Sequence, residues 1–374
     1  MNNSTISSNS TFHSGNCEEI GAKSVPFKIA FIILYNLIGV IAIFGNSFLV
    51  YIIYKTPRMK SSFNYFTANM AVSDIIVQFC SIPRLVTDLV FDRVRTWLIA
   101  DTMGVVLCKL MFFIQDICTA VSIECIVLIA IDRFLAVVTP TKMRLTSHGR
   151  HRVIVIVMTW VIAMLLHAPY LHFQTVATNR DGSMSCAIDW SPFPQHYHTK
   201  YMAILVTILI FIPLGVITIL YGVIFTIVKR RKIPGHASSD KRQFRHYEKV
   251  KSNVLQLSIA VVSVFIISWA PNVVLWALLM TVWGWRVPCK MFPFRFFAFL
   301  MGMSNTATNP WIYFILSANY RQAIQKLLSC GKLYQHRLSS RRSKTWATRQ
   351  TNSGAEADIG GQLQLEQQLM STSL

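Results

Sequence analysis

Residues 108–140 read CKLMFFIQDICTAVSIECIVLIAIDRFLAVVTP. The stretch is mostly apolar, lacks glycine, and has no proline before its last residue, so nothing in it stops a helix. Cys108 and Arg133 stand 25 residues apart, roughly 37 Å along an α-helix, and a bilayer's hydrocarbon core is only about 30 Å thick. If one end of this helix lies at one membrane surface, the other end reaches the opposite one. Gln115, Thr119, Ser122, Ile129 and Arg133 recur at steps of three, four or seven and therefore share a face. A cysteine, a polar stripe and an Asp132-Arg133 pair thus run along one edge of one helix, which is expected to be the axis of the molecule.

The rest of the 374 residues fits around such an axis. The chain is 53% apolar and 14% charged, where soluble domains carry roughly a quarter charged residues. Seven apolar runs, at about 29–54, 63–91, 105–138, 153–173, 201–228, 254–283 and 291–316, are each long enough to span a bilayer. Open sheet edges cannot sit in lipid, so the runs are helices. The expected fold class is an all-α membrane protein, a seven-transmembrane helix bundle with a short amphipathic helix on the cytoplasmic side. An odd number of spans without internal repeats, and without rings of pore-lining charge, speaks against a transporter or channel. The spans hold no GxSxG-type nucleophile and no His/Asp/Glu metal cluster, so neither an enzyme nor a metal site is expected. His167 and His172, beside the fourth run, read as interface residues.

A net charge of +20 could suggest nucleic acid, but its distribution argues otherwise. Two thirds of the Lys and Arg residues fall in connections on one side of the spans, chiefly from Lys229 to Lys251 and from Arg321 to Arg349. The positive-inside rule makes that side cytoplasmic, the N-terminus extracellular and the protein a multi-pass resident of the plasma membrane. The basic inner surface also suits anionic lipid. Residues 1–26 form an extracellular tail with a disordered composition and glycosylation triplets at Asn2, Asn3 and Asn9. Residues 27–330 form the seven-span domain with its juxtamembrane helix, and 331–374 a disordered cytoplasmic tail. The first apolar run is too long for a cleaved signal, so it is expected to direct insertion itself.

Cys80, Cys118 and Cys125 lie within runs and read as small core residues. Cys108 and Cys186 both sit at the oxidising outer surface, where a disulfide forms naturally; Cys17 and Cys289 are a second candidate pair, and sequence alone leaves the connectivity open. Asp74 is an acid at mid-membrane, a position that usually faces the bundle interior. Pro213, Pro271 and Pro310 lie inside runs and are expected to kink them. Tyr320, Ala323, Ile324, Leu327 and Leu328 follow helical spacing, and Cys330 behind them is a palmitoylation candidate. The chain ends Ser371-Thr372-Ser373-Leu374, which resembles a ligand of PDZ scaffolds.

Taken together these residues resemble the rhodopsin-like (class A) G-protein-coupled receptors. Gly45-Asn46, Asp74, Asp132-Arg133-Phe134, Trp160, Pro213, Tyr221, Phe265, Trp269, Pro271, Asn309, Pro310 and Tyr313 carry the likeness, in order and on the right spans. Phe134 stands where most members have Tyr, Ser268 where Cys is commoner, and Lys251 where several have an acid that holds the arginine. The resemblance implies a sodium pocket of Asp74, Ser122, Asn305 and Asn309, and an activation switch of Asp132, Arg133, Tyr221, Phe265, Trp269, Pro271 and Tyr313. It also implies coupling to heterotrimeric G proteins, kinases and arrestin.

The ligand class is narrowed by what is missing. Gln115 stands where the family's amine receptors have Asp, and Met303 where opsins have the lysine that holds retinal. Gln115, Pro83 and the loop SCAIDW at 185–190 resemble the neuropeptide receptor group, in the neuropeptide Y, galanin and RFamide neighbourhood; a lipid or other small molecule is the alternative ligand. The ligand-binding residues expected on this resemblance are Arg84, Asp88, Gln115, Asp116, Thr119, Trp190, Asn272, Trp276, Arg295 and Phe299. No cofactor is expected beyond an allosteric sodium ion.

Overall fold

A computed structural model describes residues 24–138, 149–179, 181–230 and 238–328. The expectations at Asn2, Asn3, Asn9, Cys17, Cys330 and the terminal Ser371–Leu374 fall outside these residues. The seven apolar runs all lie in long helices: α1 (Val25–Lys55), α2 (Ser62–Val90), α3 (Asp101–Val138), α4 (Gly149–Phe173), α5, α6 (Ser238–Thr281) and α7 (Phe292–Leu316). Helix α5 joins Gln195–Val206 to Ile212–Arg230 through a π-helical stretch, Thr207–Phe211. A short α8 (Ala318–Leu328) follows, and the compact unit that holds the site ends at Tyr320. Five helices are long and apolar enough to cross a membrane by length and composition; α3 and α7, which carry the polar stripes, complete the seven.

Local chemistry sets several boundaries. Ser24 caps α1 by accepting from the Phe27 amide, with Pro26 in the first turn. Ser61 caps α2 in the same way through Asn64. In α5 the π stretch ends two residues before Pro213. Proline cannot donate to the carbonyl four residues back, and widening the preceding turn absorbs that lost bond. The kink expected there is thus relieved as a local change of helix type.

Burial follows helical spacing. On α1, Tyr35, Gly39, Ala42, Asn46 and Leu49 face inward, while Ile33, Leu37, Val40 and Phe44 are exposed. In water so large an apolar surface would aggregate; around a bundle in lipid it is the solvent contact. Helix α3 packs against α2, α4 and α5, which places it at the axis as its length suggested. Asn46 crosses from α1 to donate to the Thr306 carbonyl at 3.0 Å. Trp160 of α4 donates to Asn69 of α2 at 3.0 Å, and Asn69 donates onward to Cys125 of α3. In hydrocarbon such bonds have no water to compete with.

Outside the bundle lies one element that the sequence pattern did not reveal, a three-stranded antiparallel sheet ordered β1 (Thr96–Trp97), β3 (Met184–Ile188), β2 (Gln174–Thr178). Val176 pairs with Cys186 in its register. Cys108 and Cys186 form a disulfide that ties β3 to the N-terminal part of α3. Cys289 is also disulfide-bonded.

Two predictions follow from this packing. A Cβ on Gly45 would lie 2.8 Å from Pro310 Cγ and 3.3 Å from Trp311 Nε1. Gly45→Val should therefore cost about 1–3 kcal/mol through overpacking and lower the unfolding midpoint of the purified protein; an unchanged midpoint would show that α1 and α7 are not in tight contact. Cys108→Ala or Cys186→Ala opens a 78-residue separation and should cost about 2–5 kcal/mol, read as a marked loss of surface expression; normal expression of both variants would contradict it.

Candidate functional site

A cavity lies among the helices of the bundle. It measures about 160 Å³ and is lined from α2 by Arg84 and Asp74, from α3 by Gln115, Asp116, Thr119 and Ser122, from α6 by Trp269, Asn272 and Trp276, and from α7 by Phe299 and Asn305. One space thus runs from the outer arginine to the mid-membrane acid. Helical periodicity produces it, because positions 115, 119 and 122 of α3 and positions 269, 272 and 276 of α6 each stack on one face. Gly302 permits the close approach of α6 and α7, for a Cβ there would meet Asn272 Nδ2 at 2.8 Å. Asn272 donates across that contact to the Ala298 carbonyl at 2.7 Å.

Seven of the ten expected ligand residues line this cavity: Arg84, Gln115, Asp116, Thr119, Asn272, Trp276 and Phe299. Asp88, Arg295 and Trp190 do not. Asp88 and Arg295 are spent on each other, with Arg295 donating to the Asp88 carboxylate at 2.7 Å while both are buried. The other Asp88 oxygen accepts from the Thr96 amide at 2.8 Å. Arg84 comes only to 4.0 Å of the same carboxylate. Trp190 stacks on Phe173 at 4.0 Å and packs against His198 and Tyr201, so its place is in the wall behind the sheet.

At the cavity floor Asp74 accepts from Ser122 at 2.8 Å and from Asn309 at 3.2 Å. The Oδ1 atoms of Asn305 and Asn309 are buried without a hydrogen-bond partner. Gln78 joins α2 to α7 just above, donating to Thr306 at 2.5 Å. Phe265 and Trp269 stand one above the other on α6, their rings 6.1 Å apart, and Trp276 lies 5.9 Å beyond. Pro271 lies inside α6 between these rings.

At the end of α3 opposite Cys108, Arg133 pairs with Asp132 at 3.4 Å and lies over the Phe63 ring at 3.9 Å. Phe63 meets Tyr313 edge-on at 5.8 Å, and Tyr320, behind Tyr313, donates to Asn64 at 2.9 Å. Tyr221 lies on α5. The side chain of Lys251 falls outside the described residues.

Three groups escaped the sequence reading. His167, taken as an interface residue, is buried at 4% exposure and lines the cavity; it lies one α4 turn beyond Ala163, whose carbonyl its Nδ1 meets at 2.9 Å. Met202, Leu205 and Leu209 supply the α5 wall, with only an apolar periodicity to mark them. Arg95 sits in the connection between α2 and α3 with a left-handed φ of 60°. Its guanidinium lies 4.0 Å from the Phe112 centroid and donates to the Cys186 carbonyl. Burial lowers it to about 10, so it stays charged. At the exposed hairpin tip, hydrogen bonds from Ser183 and then the Arg93 guanidinium hold the Asp181 carboxyl down at about 2.

Comparison with known proteins agrees with this architecture. The family description "7 transmembrane receptor (rhodopsin family)" matches residues 45–313. The RYamide receptor of Drosophila melanogaster is 30% identical over 82% of this chain, which covers 64% of that receptor's length. The RYamide receptor of Tribolium castaneum is 27% identical over 83% of this chain and 85% of its own. Neuropeptide Y receptor type 2 of Cavia porcellus is 25% identical over 90% of this chain and 84% of its own.

The geometry gives Arg95 a specific duty, to hold β3 against α3. Arg95→Ala removes a charge-assisted bond of about 1.5–3 kcal/mol, so hydrogen exchange at residues 184–188 should quicken at least about tenfold. Exchange at the wild-type rate would show that the disulfide alone anchors the strand.

Proposed function

The chain belongs to the rhodopsin family of seven-transmembrane receptors, and from that premise we propose that it binds an extracellular neuropeptide and activates heterotrimeric G proteins at its cytoplasmic face. It is a multi-pass membrane protein, and its family is not an enzyme family. The observation that carries the reading is the single cavity that joins charged outer groups to Trp269 and Asp74. At about 160 Å³ it is smaller than the roughly 300–1,000 Å³ of whole small-molecule sites. It suits the tip of a longer ligand whose remaining length lies against the sheet and loops. Relatives named for RYamide and neuropeptide Y support a peptide over a lipid.

The coupling follows from reciprocity. A ligand that favours one packing of α6 against α7 shifts the population of that packing, and a G protein that favours the same packing raises the ligand's affinity by the same factor. The residues that respond are Trp269 and Phe265 below the ligand, Pro271 at the bend, and Asp132, Arg133, Tyr221 and Tyr313 at the inner surface. Gln115, Thr119, Asn272, Trp276 and Phe299 contact the ligand in this reading. The plasma membrane, with the N-terminus outside, is the location it requires. Its basic tail serves kinases and arrestin.

Asp74 is the sodium-sensing group in this account. A carboxylate, the Ser122 hydroxyl and two buried amide oxygens without partners form an all-oxygen set suited to a hard cation. Such an ion would balance a charge that mid-membrane burial otherwise makes costly.

Cells expressing the full chain should answer at least one member of a panel of amidated neuropeptides in calcium or cyclic AMP; silence to the whole panel at confirmed surface expression would contradict the peptide assignment. Sodium should lower the potency of the active peptide, and Asp74→Asn should abolish that effect. Equal sodium dependence in the variant would remove Asp74 from this role.

A further inference from the structure

Asparagine is a recurrent polar link between the helices, and one of them stands apart. Asn46, Asn69, Asn272 and Asn309 each bond across to another helix. Asn36 of α1 does not. Its side chain is exposed, and among the described residues it makes one hydrogen bond, from Nδ2 to the Ile32 carbonyl one turn back at 2.8 Å. One N–H and the amide oxygen remain for a partner. Asn36 lies within the first apolar run, which begins near residue 29, about 10 Å along the helix from the start of that run. No water reaches such a depth, and an amide left open in hydrocarbon is costly.

The face that carries Asn36 is a continuous strip. Ile33, Asn36, Val40, Phe44, Ser47 and Tyr51 recur along α1 at steps of three and four, so they share one side of the helix. All six are exposed. From Ile33 to Tyr51 the strip runs about 27 Å, close to the thickness of a hydrocarbon core. The other side of α1, with Tyr35, Gly39, Ala42 and Asn46, is buried and packs against α2 and α7. Lipid tails match the apolar members of the strip. They offer the Asn36 amide neither a donor nor an acceptor.

The amide's chemistry points to the occupant. A partner must bring both a donor and an acceptor to the same depth of the membrane. A second copy of this chain does so by construction, because two copies inserted the same way up hold Asn36 at the same level. A carboxamide is self-complementary, so two of them facing across a twofold axis along the membrane normal can each donate to the other. Such an interface uses one patch on both copies. Polar side chains bonded across helices hold membrane helices together, since lipid supplies no competing partner. We propose that the exposed strip of α1 is a self-association surface at which Asn36 of one copy bonds to Asn36 of a second copy. The surface lies apart from the cavity, whose lining includes no residue of α1, so it acts whatever the ligand.

The test uses the purified full chain in lipid vesicles, with dimer fraction read by single-molecule photobleaching over a wide range of protein-to-lipid ratios. Wild type should dimerise reversibly, and Asn36→Leu should raise the dissociation constant at least about fivefold. Thr218→Val serves as the control. Thr218 is an exposed polar residue in the second part of α5 whose hydroxyl donates within its own helix to the Leu214 carbonyl, and its loss should leave the constant unchanged. Geometry is read separately by oxidative cross-linking with copper phenanthroline. Ile33→Cys and Val40→Cys should each form an intermolecular disulfide above the wild-type background, whereas Ile212→Cys, at an exposed position of α5, should not. A wild type that stays monomeric at every density assigns the strip to lipid and overturns the proposal without needing any variant to fold. An unchanged constant in Asn36→Leu also overturns it, as does an equal weakening by Thr218→Val. Cross-linking at 212 without cross-linking at 33 and 40 places any dimer on another face and overturns it too.

Discussion

One carboxylate organises the outer half of the molecule. Asp88, fully buried near the end of α2, accepts from Arg295 of α7 through one oxygen and from the Thr96 amide of β1 through the other. Through Thr96 it holds β1, which pairs with β3 at Ser185. Through β3 it reaches the Cys186–Cys108 disulfide and the axial helix α3. Helices α2, α3 and α7 and the three-stranded sheet are thus joined by a chain of contacts that passes through a single side chain. Removing one member of a buried ion pair typically costs about 3–5 kcal/mol because the other is left uncompensated. Here the residue left behind would include two arginines.

The same constraint sets the character of the cavity. Asp88 gives its short contacts to Arg295 and the Thr96 amide, and Arg84 reaches the same carboxylate at 4.0 Å from the cavity wall. The acid that secures α7 thus also holds an arginine that lines the cavity. Lower down, Asp74 joins α2, α3 and α7 through Ser122 and Asn309. A change at the outer end can be felt there without a separate relay, because one cavity touches both ends.

The sequence made the helices legible because the constraint on them is severe: lipid demands long apolar runs, and the polar exceptions must point inward. The axial role of the helix that begins near Cys108 and the inward face of Gln115, Thr119 and Ser122 could be read from spacing, and Cys108 and Cys186 could be placed on one side, while their pairing stayed open until the structure joined them. The sheet could not, since its strands are at most five residues long and owe their place to a disulfide and two arginine contacts. Asp88 and Arg295 were expected to contact the ligand and not each other, because they are separated by 207 positions. His167 was misread because a polar residue near a helix end looks like a membrane-surface anchor until the neighbouring helices enclose it. The π stretch before Pro213 was expected only as a kink, since sequence marks the missing donor and packing decides how the helix absorbs it.

The central claim is that Asp88 is held chiefly by Arg295 at 2.7 Å and only at longer range by Arg84 at 4.0 Å. A pair of double-mutant cycles on the purified full chain tests it, Asp88→Asn with Arg295→Gln in one and Asp88→Asn with Arg84→Gln in the other, both read by unfolding stability. The account predicts a coupling energy with Arg295 that exceeds the coupling with Arg84 by at least about 1 kcal/mol. Equal couplings, or a larger one with Arg84, would contradict it.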